Sequence, residues 1–392
     1  MISAEQAIQL IDEHTSAPDP ITIPVNEGIN HVLASDVFAQ IDLPTCDESS
    51  MDGYAVHTDF GNNLELVGEQ AAGSTSQLSL QKGQAIRIFT GAPIPQGANC
   101  VIMQEKITVN NQSISFDKNL LIPGKYIRTK GNHLQKGQLI LPKRQLLSPP
   151  GIGLAISAGI AEVKVFKLPR IGIIITGNEL VEPGKPLYFG QKYNSNESML
   201  KALLQPFSSF PIITSRVSDD LAVTSKAVAK MIDQCDVMVL SGGISVGDHD
   251  HVYQALQQNE VKSIFYKVKQ KPGKPLYFGT TKRKIVFGLP GNPVSALACT
   301  YLYLLPALRK LSGREIDQQW KLAKLNHSVE NPSDRPSFSR GVVKDGNIEI
   351  LPGQDSHMLL SFANANSLVF LEAHHQYQKG DEVKYLSINH EV

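Results

Sequence analysis

Apolar residues change their spacing along the chain, and each change marks a different kind of structure. Met1 to His14 has the period of an amphipathic helix carrying Glu5, Asp12 and Glu13, and the rest of the first forty residues breaks into short strand-like pieces. From Met51 to Leu141 short apolar runs, among them Arg87 to Thr90 and Val101 to Met103, are separated by Gly, Pro and Asn, which predicts a β-rich region. Pro149-Pro150-Gly151 interrupts that pattern. A small helix is expected over Ile152 to Ile160, then a strand over Val163 to Phe166 leading to a boundary at Leu168-Pro169.

After Pro169 the spacing is different. Ile171 to Ile175 is an unbroken aliphatic run, as in a strand buried on both faces. A helix is expected over about Glu197 to Gln205, a strand over Ile212 to Val217 and a helix over Asp219 to Asp233. A second buried strand, Val237 to Leu240, and a helix around His251 to Gln257 come next. Phe265 to Val268 and Ile285 to Phe287 are further strand candidates, and Val294 to Leu311 is a long helix. Strands alternating with helices predict a parallel sheet of doubly wound type. Beyond Gly313 short alternating segments return, such as Val342-Val343, Ile348 to Leu351 and Ser367 to Leu371, and predict a small all-β terminal domain. The expected fold class is α/β multidomain, a doubly wound α/β domain between β-rich N-terminal and small all-β C-terminal parts. The octapeptide Pro-Gly-Lys-Pro-Leu-Tyr-Phe-Gly occurs at Pro183 to Gly190 and again at Pro272 to Gly279. Its flanks do not match, so the duplication reads as reuse of a turn-then-strand solution and not as a repeat architecture.

A length of 392 residues fits two to four domains at roughly 150 residues each. The 37 basic and 37 acidic residues cancel, which argues against nucleic-acid binding through a general basic excess but leaves room for a local basic pocket. Cys46, Cys100, Cys235 and Cys299 form no C-x-x-C pair, so a disulfide framework or thiolate zinc site is not expected. The N-terminal helix pattern is unlike a signal peptide, and no apolar run approaches the ~20 residues of a membrane span. A cytoplasmic protein is expected.

Four segments sit at strand-to-loop junctions, where open parallel sheets form their ligand crevices. The first is Thr176-Gly177-Asn178-Glu179-Leu180 and the second runs from Ser241 to Asp250. In the second, Gly242, Gly243 and Gly247 with Ser241 and Ser245 would let backbone N–H groups cradle an oxyanion. Asp248 and Asp250 would repel that anion unless a hard cation such as Mg²⁺ lay between them. The same residues also suit an ordinary glycine-rich turn with a helix cap at Asp248 or Asp250. In the third, Lys267, Lys269, Lys271 and Lys274 surround Pro272-Gly273, as oxyanion ligands or as guards of a solvated sheet edge. The fourth, Gly288 to Ser295, places Pro293 in a first helical turn, for anion binding or as a structural junction. His249 and His251 flank Asp250 and would converge on a transition metal only from a strand. Nucleophile-elbow, Walker A and Rossmann patterns are missing.

Ser50-Met51-Asp52-Gly53-Tyr54-Ala55-Val56 resembles the hallmark of the MoeA family, the molybdopterin molybdotransferases. So do Arg87 to Pro93, the TGNEL and SGGISVGDHD loops, Lys271 to Pro275 and Gly288 to Pro293, in family order between about residue 40 and residue 360. The resemblance implies an elongated homodimer whose third domain is molybdopterin-binding-like. Its four domains would be a discontinuous 1–41 with 135–168, an inserted β-domain 42–134, an α/β domain 169–313 and a C-terminal β-domain 314–392. It also implies the last step of molybdenum cofactor synthesis. Adenylylated molybdopterin and molybdate enter, the phosphoanhydride is hydrolysed with Mg²⁺, molybdenum joins the dithiolene and AMP leaves. The cleft would lie between the α/β domain of one subunit and the β-domain of the other. The upstream adenylyltransferase and molybdoenzyme apoproteins are the implied protein partners.

Carried over by position, the resemblance makes Asp52 and Thr90 cleft residues supplied by the partner subunit. Glu179 and Asp250 would stand near metal and substrate, with Asp219 or Asp220 a further acidic position. Lys267, Lys271 and Lys274 would face phosphate or molybdate. Ser241, Gly242, Gly243, Ser245 and Gly247 would hold substrate, Pro290 and Pro293 would form the molybdate loop, and Arg340 and Ser356 would reach towards it. Two departures stand out. Gly131-Asn132-His133 replaces the usual Gly-Glu-Asp, and Asn178 replaces a frequent Asp. Activity is expected to be retained, with altered dependence on metal or pH, and His133 would be available as a cation or ligand. Two other readings share part of the pattern. The upstream adenylyltransferase shares the TGNEL-like and glycine-rich loops but not the MDGYAV and C-terminal domains. A scaffold like the related gephyrin domain would have no use for the preserved lysines and acids.

Overall fold

The computed structural model describes residues 1–208, 210–244, 251–282, 284–314 and 320–388. The chain divides into two compact units, one of Thr22–Ile29 and Ser35–Lys164, the other of Met1–Ile21, Asn30–Ala34 and Val165–Val392.

The first unit is built on a six-stranded sheet in the order Cys100–Met103, Gly53–Val56, Gln84–Ile88, Asn63–Gln70, Ser113–Phe116, Ile107–Asn110. Only Asn63–Gln70 and Gln84–Ile88 pair in parallel. Both faces are covered. Tyr54, Val56, Cys100 and Ile102 pack on one side, Ala55, Ile86 and Val101 on the other. Gly53–Val56 is therefore buried throughout. A Cβ at Gly53 would lie 2.0 Å from the Ile102 carbonyl oxygen, so no side chain fits there. The helix expected from Ile152 begins earlier, at Pro149–Ser157, because Ser148 caps it and prolines need no donor in a first turn.

The second unit holds a six-stranded sheet in the order Ile213–Val217, Ile171–Thr176, Val237–Ser241, Lys284–Leu289, Tyr277–Thr281, Lys262–Tyr266. The first four strands are parallel, as the aliphatic runs predict. The two edge pairings are antiparallel. The strand expected at Phe265 to Val268 lies instead at Lys262–Tyr266, paired with Tyr277–Thr281. Ile173, Val239 and Phe287 point to the face covered by Leu200, Leu204 and Val294, and Ile174, Leu240 and Val286 to the face covered by Val228, Met231 and Val252. The long C-terminal helix of this sheet runs through Pro293–Cys299, a π turn at Thr300–Leu304 and Leu305–Leu311. The π turn falls just before Pro306, which has no N–H to continue the ladder.

Five strands close the terminal barrel in the order Lys321–Leu325, Asn347–Ile350, Ser337–Lys344, Ser367–Leu371, Glu382–Ser387. The short helix Leu359–Ala363 interrupts the expected all-β pattern, and its Phe362 joins Phe338 and Leu368 in the core of the α/β sheet. No described helix is long and apolar enough to cross a membrane.

Candidate functional site

The four parallel strands deliver their C-terminal loops to one cleft of about 1110 Å³. Ile171–Thr176 brings Asn178 and Glu179, Ile213–Val217 brings Asp219, Val237–Ser241 brings Gly242 and Gly243, and Lys284–Leu289 brings Pro290 to Pro293. The glycines allow close packing of these loops. Gly242 and Gly243 have φ of +93° and +60°, and a Cβ on them would lie 2.5 Å from the Thr176 carbonyl oxygen and 2.8 Å from Thr176 Oγ1 respectively.

One side chain ties the loops together. Asn196 donates through Nδ2 to Ser241 Oγ and to the Gly291 carbonyl, each at 2.9 Å. Ser241 is buried and donates onward to the Pro290 carbonyl at 3.4 Å. The Gly242 N–H points to the Leu289 carbonyl at 3.4 Å. Ser241, expected to hold substrate, thus spends its hydroxyl inside the wall. Asn196 itself is held by the start of its helix, where Asn194 caps Ser195–Leu204. Arg216 donates through Nε to Glu197 at 2.6 Å and through Nη1 to Glu182 at 2.7 Å. Burial pushes the Glu197 carboxyl up most strongly, but the hydrogen bonds from Arg216 and Thr214 together with the charges of Arg216 and Lys201 outweigh it and hold the group below the usual carboxylate range.

The acidic candidates separate cleanly. Glu179 and Asp219 line the cleft. Of the two alternatives Asp219 and Asp220, Asp220 is not in the cleft lining: it accepts the Val223 N–H at 2.9 Å and caps Leu221–Gln234. Ser245, Gly247, Asp248, His249 and Asp250 lie outside the described residues.

A second cavity of about 470 Å³ shares Pro275, Pro290, Asn292 and His357 with the cleft and is walled by Lys271, Lys274, Arg335 and Ser356 among others. Lys267 lines neither of these two cavities; its ammonium lies 4.9 Å from the centre of the Tyr266 ring, and its backbone N–H donates to the Leu276 carbonyl at 2.9 Å, just ahead of the strand that follows the lysine turn. The buried Gln270 latches the lysine turn, donating to the Pro272 carbonyl at 2.9 Å, while the Tyr303 hydroxyl donates to its Oε1. Across the cavity, Asn292 donates to Ser356 Oγ at 2.9 Å. Arg340 does not reach that space. Its guanidinium is buried, donating to Ser361 Oγ at 3.1 Å and to the Gly353 and Asp355 carbonyls at 2.8 and 3.2 Å. Burial pushes it down to about 10, still high enough to stay charged at neutral pH. Its guanidinium is thus bonded to the turn that precedes Ser356. The motif identified the residue but not the direction of its side chain.

In the β-rich unit, Asp52 Oδ1 accepts both the backbone N–H and the hydroxyl of Thr90, each at 2.8 Å. These two bonds hold the Asp52 carboxyl below its ordinary range. Nearby in sequence to the family departures, Asp42 accepts the Lys136 N–H at 2.8 Å and pairs with Lys130 at 3.4 Å, while Asn132 and His133 are exposed on the turn between them. Among the described residues no group of three His, Cys, Asp or Glu side chains is placed to hold a metal.

Thr176 and Asn196 are cleft residues that sequence reading missed. Thr176 was visible only as the first letter of TGNEL, and Asn194-Ser195-Asn196 only as a helix-start signal.

Comparisons with known proteins cover almost the whole chain. The family described as MoeA N-terminal region (domain I and II) matches residues 2–159, the probable molybdopterin binding domain 172–310, and the MoeA C-terminal region (domain IV) 323–388. The molybdopterin molybdenumtransferase of Haemophilus influenzae is 35% identical over 100% of this chain and 99% of its own length. That of a Nostoc species is 34% identical over 94% of this chain and 88% of its own. A crystal structure of a molybdopterin biosynthesis MoeA protein from Pyrococcus horikoshii superposes with a TM-score of 0.76 at 29% identity, covering 99% of each chain.

Proposed function

Since the chain belongs to the MoeA family, we propose that it works as a molybdopterin molybdenumtransferase, a transferase of molybdenum cofactor biosynthesis. The observation that carries this reading is the pair of adjoining cavities. A cleft with Glu179 and Asp219 opens beside a smaller one with Lys271 and Lys274, and the two share four wall residues. A substrate with an organic part, a phosphoanhydride and a neighbouring oxyanion has matching surfaces for each.

The roles then divide as follows. Lys271 and Lys274, with Pro290, Pro293 and Ser356, bind molybdate, and lysine ammonium groups neutralise it as point charges. Lys267 adds positive charge beside that lysine turn. Gln270 keeps the lysine turn in place and Arg340 keeps Ser356 in place. The organic substrate is adenylylated molybdopterin, lying in the larger cleft; water cleaves its phosphoanhydride and AMP is released as molybdenum joins the dithiolene.

Glu179 and Asp219 supply two hard carboxylate oxygens on one wall, which fits Mg²⁺, an ion that binds through one or two carboxylates plus water and substrate phosphates. Glu179 would hold the ion from this wall, and Asp250, which lies outside the described residues, is the second ligand that the resemblance implies. When bound it would neutralise the phosphoanhydride. Asp52 and Thr90 meet this cleft from the partner in a homodimer, and the chain divides into the four domains that the sequence implies. The protein works in the cytoplasm, receiving substrate from the upstream adenylyltransferase and passing cofactor to molybdoenzyme apoproteins.

The test is reconstitution of a molybdoenzyme apoprotein by the purified protein with adenylylated molybdopterin, molybdate and Mg²⁺. AMP release coupled to active enzyme is expected. Substrate binding with no AMP release would overturn the reading.

A further inference from the structure

We infer that the corner of the cleft formed by Thr176 and Asn196 is a subsite for hydrogen-bond donors on the organic part of the substrate. The inference rests on the functional reading above and adds which end of the cleft takes which end of the substrate.

Both side chains line the cleft, and both are more than nine-tenths buried, at 5% and 8% exposure. Each has a polar atom left over: Thr176 Oγ1 and Asn196 Oδ1 are buried without any hydrogen-bond partner. The Asn196 amide has no alternative orientation. Its Nδ2 already donates to Ser241 Oγ and the Gly291 carbonyl, and turning the amide over would set Oδ1 against that carbonyl at 2.9 Å. Nor does the helix leave it free to withdraw, because Asn194 and the Arg216–Glu197 pair fix its first turn. A buried polar atom left unmatched costs about 1–3 kcal/mol, so this corner favours a ligand that matches it.

Asn196 Oδ1 can only accept. The carboxylates of Glu179 and Asp219 on the same walls are acceptors too. Away from a bound cation, phosphate and molybdate oxygens are repelled by such acceptors, whereas N–H and O–H groups are attracted. The oxyanion is therefore directed to Lys271 and Lys274, and a donor-rich end of the organic substrate to Asn196, with the Thr176 hydroxyl beside it able to accept or to donate. Adenylylated molybdopterin has two donor-rich parts, the amino and ring N–H edge of the pterin and the hydroxyls and amino group of the nucleoside.

AMP and a simple pterin, each titrated alone into the full-length protein, distinguish these sources. Thr176→Val removes only a hydroxyl that has no partner in the free protein, so folding is preserved. It should weaken one or both probes roughly tenfold, and Thr176→Ser should restore the loss. Loss for AMP alone assigns the corner to the nucleoside, loss for the pterin alone to the pterin, and loss for both to a corner that each can use. Equal binding of both probes by wild type and Thr176→Val overturns the inference, as does failure of both to bind wild type at millimolar concentration. Wild-type molybdenum insertion is measured in parallel. Its absence would count against the functional reading, whereas insertion with probe binding unchanged in Thr176→Val removes only this subsite.

Discussion

Asn178 and Asp219 hold each other reciprocally: the Asn178 backbone N–H donates to Asp219 Oδ2 at 3.1 Å, and the Asp219 backbone N–H donates to Asn178 Oδ1 at 3.2 Å. An aspartate at 178 could accept the same N–H, so the departure from the usual family residue changes charge without changing the link. Asn178→Asp adds a carboxylate to a wall that already holds Glu179 and Asp219. At about 1 kcal/mol for charges near 4 Å in water, the Mg²⁺ needed for half-maximal insertion should fall roughly fivefold. The KM for molybdate should rise. A Mg²⁺ titration identical to wild type would separate Asn178 from the metal.

Thr90 holds the Asp52 carboxyl below its ordinary range. Its backbone N–H contributes most and its hydroxyl next to keeping the carboxyl below the ordinary range. Thr90→Val removes only the hydroxyl bond, so the Asp52 pKa rises towards its usual value. Because the ionised form is then lost at a higher pH as the solution is acidified, the acid limb of kcat/KM moves up. Activity at pH 8 should change little. The measurement is a pH profile of AMP release for the two proteins, and superimposable acid limbs would show that ionised Asp52 is not required.

Arg340 is bonded to the turn that carries Ser356, and its proposed role is to position that residue. Arg340→Met leaves the Gly353 and Asp355 carbonyls and the Ser361 hydroxyl without their donor, at a cost on the order of 2–4 kcal/mol. Thermal unfolding should show the loss, and molybdate affinity should fall with it because the Ser356 turn loosens. Arg340→Lys should recover little, since an ammonium cannot replace the planar fork. Full molybdate affinity in a destabilised Arg340→Met protein would detach Ser356 from the site.

Those side chains also mark where the sequence was legible. Ile171–Thr176 and Val237–Ser241 were readable because a strand buried on both faces must be aliphatic throughout, and the loops behind them inherit their positions from the sheet. Which carboxylate enters the cleft was not readable. Asp219 and Asp220 are adjacent, and only the helix start assigns the second to Val223. Lys267 fits the spacing of a lysine cluster, and the turn at Pro272-Gly273 folds the chain back on it, the Val268 N–H donating to the Lys274 carbonyl at 3.0 Å; what the spacing did not show is that its ammonium lies over the Tyr266 ring. Asn196 left no trace of function because its role depends on Ser241 and Gly291, which are distant in sequence.

Asn132 and His133 occupy an exposed turn that Asp42 secures through Lys130 and Lys136. The turn does not depend on the identity of the two side chains, so Asn132→Glu with His133→Asp should leave stability within about 0.5 kcal/mol. Insertion should be active before and after the change, with a different Mg²⁺ or pH dependence. A wild-type protein that is inactive and gains activity only with His133→Asp would contradict this.

The duplicated octapeptide separates local sequence from environment. At Pro272 to Gly279 it forms the expected turn and then a strand, and Phe278 is fully buried against Phe265 and Phe287. At Pro183 to Gly190 the expected strand does not form. The segment is a loop closed by the short Leu180–Val181 and Lys192–Tyr193 ladder, and Phe189 is fully exposed. Local preference is identical, so the difference lies in what surrounds each copy. The second is latched by Gln270 and has Lys284–Leu289 beside it to pair with, whereas the first returns at once to its own ladder. Phe278→Ala should therefore cost about 3–5 kcal/mol, and Phe189→Ala less than about 0.5 kcal/mol. Denaturant unfolding of the two variants measures both, and similar losses would mean that Phe189 is buried in the protein in solution.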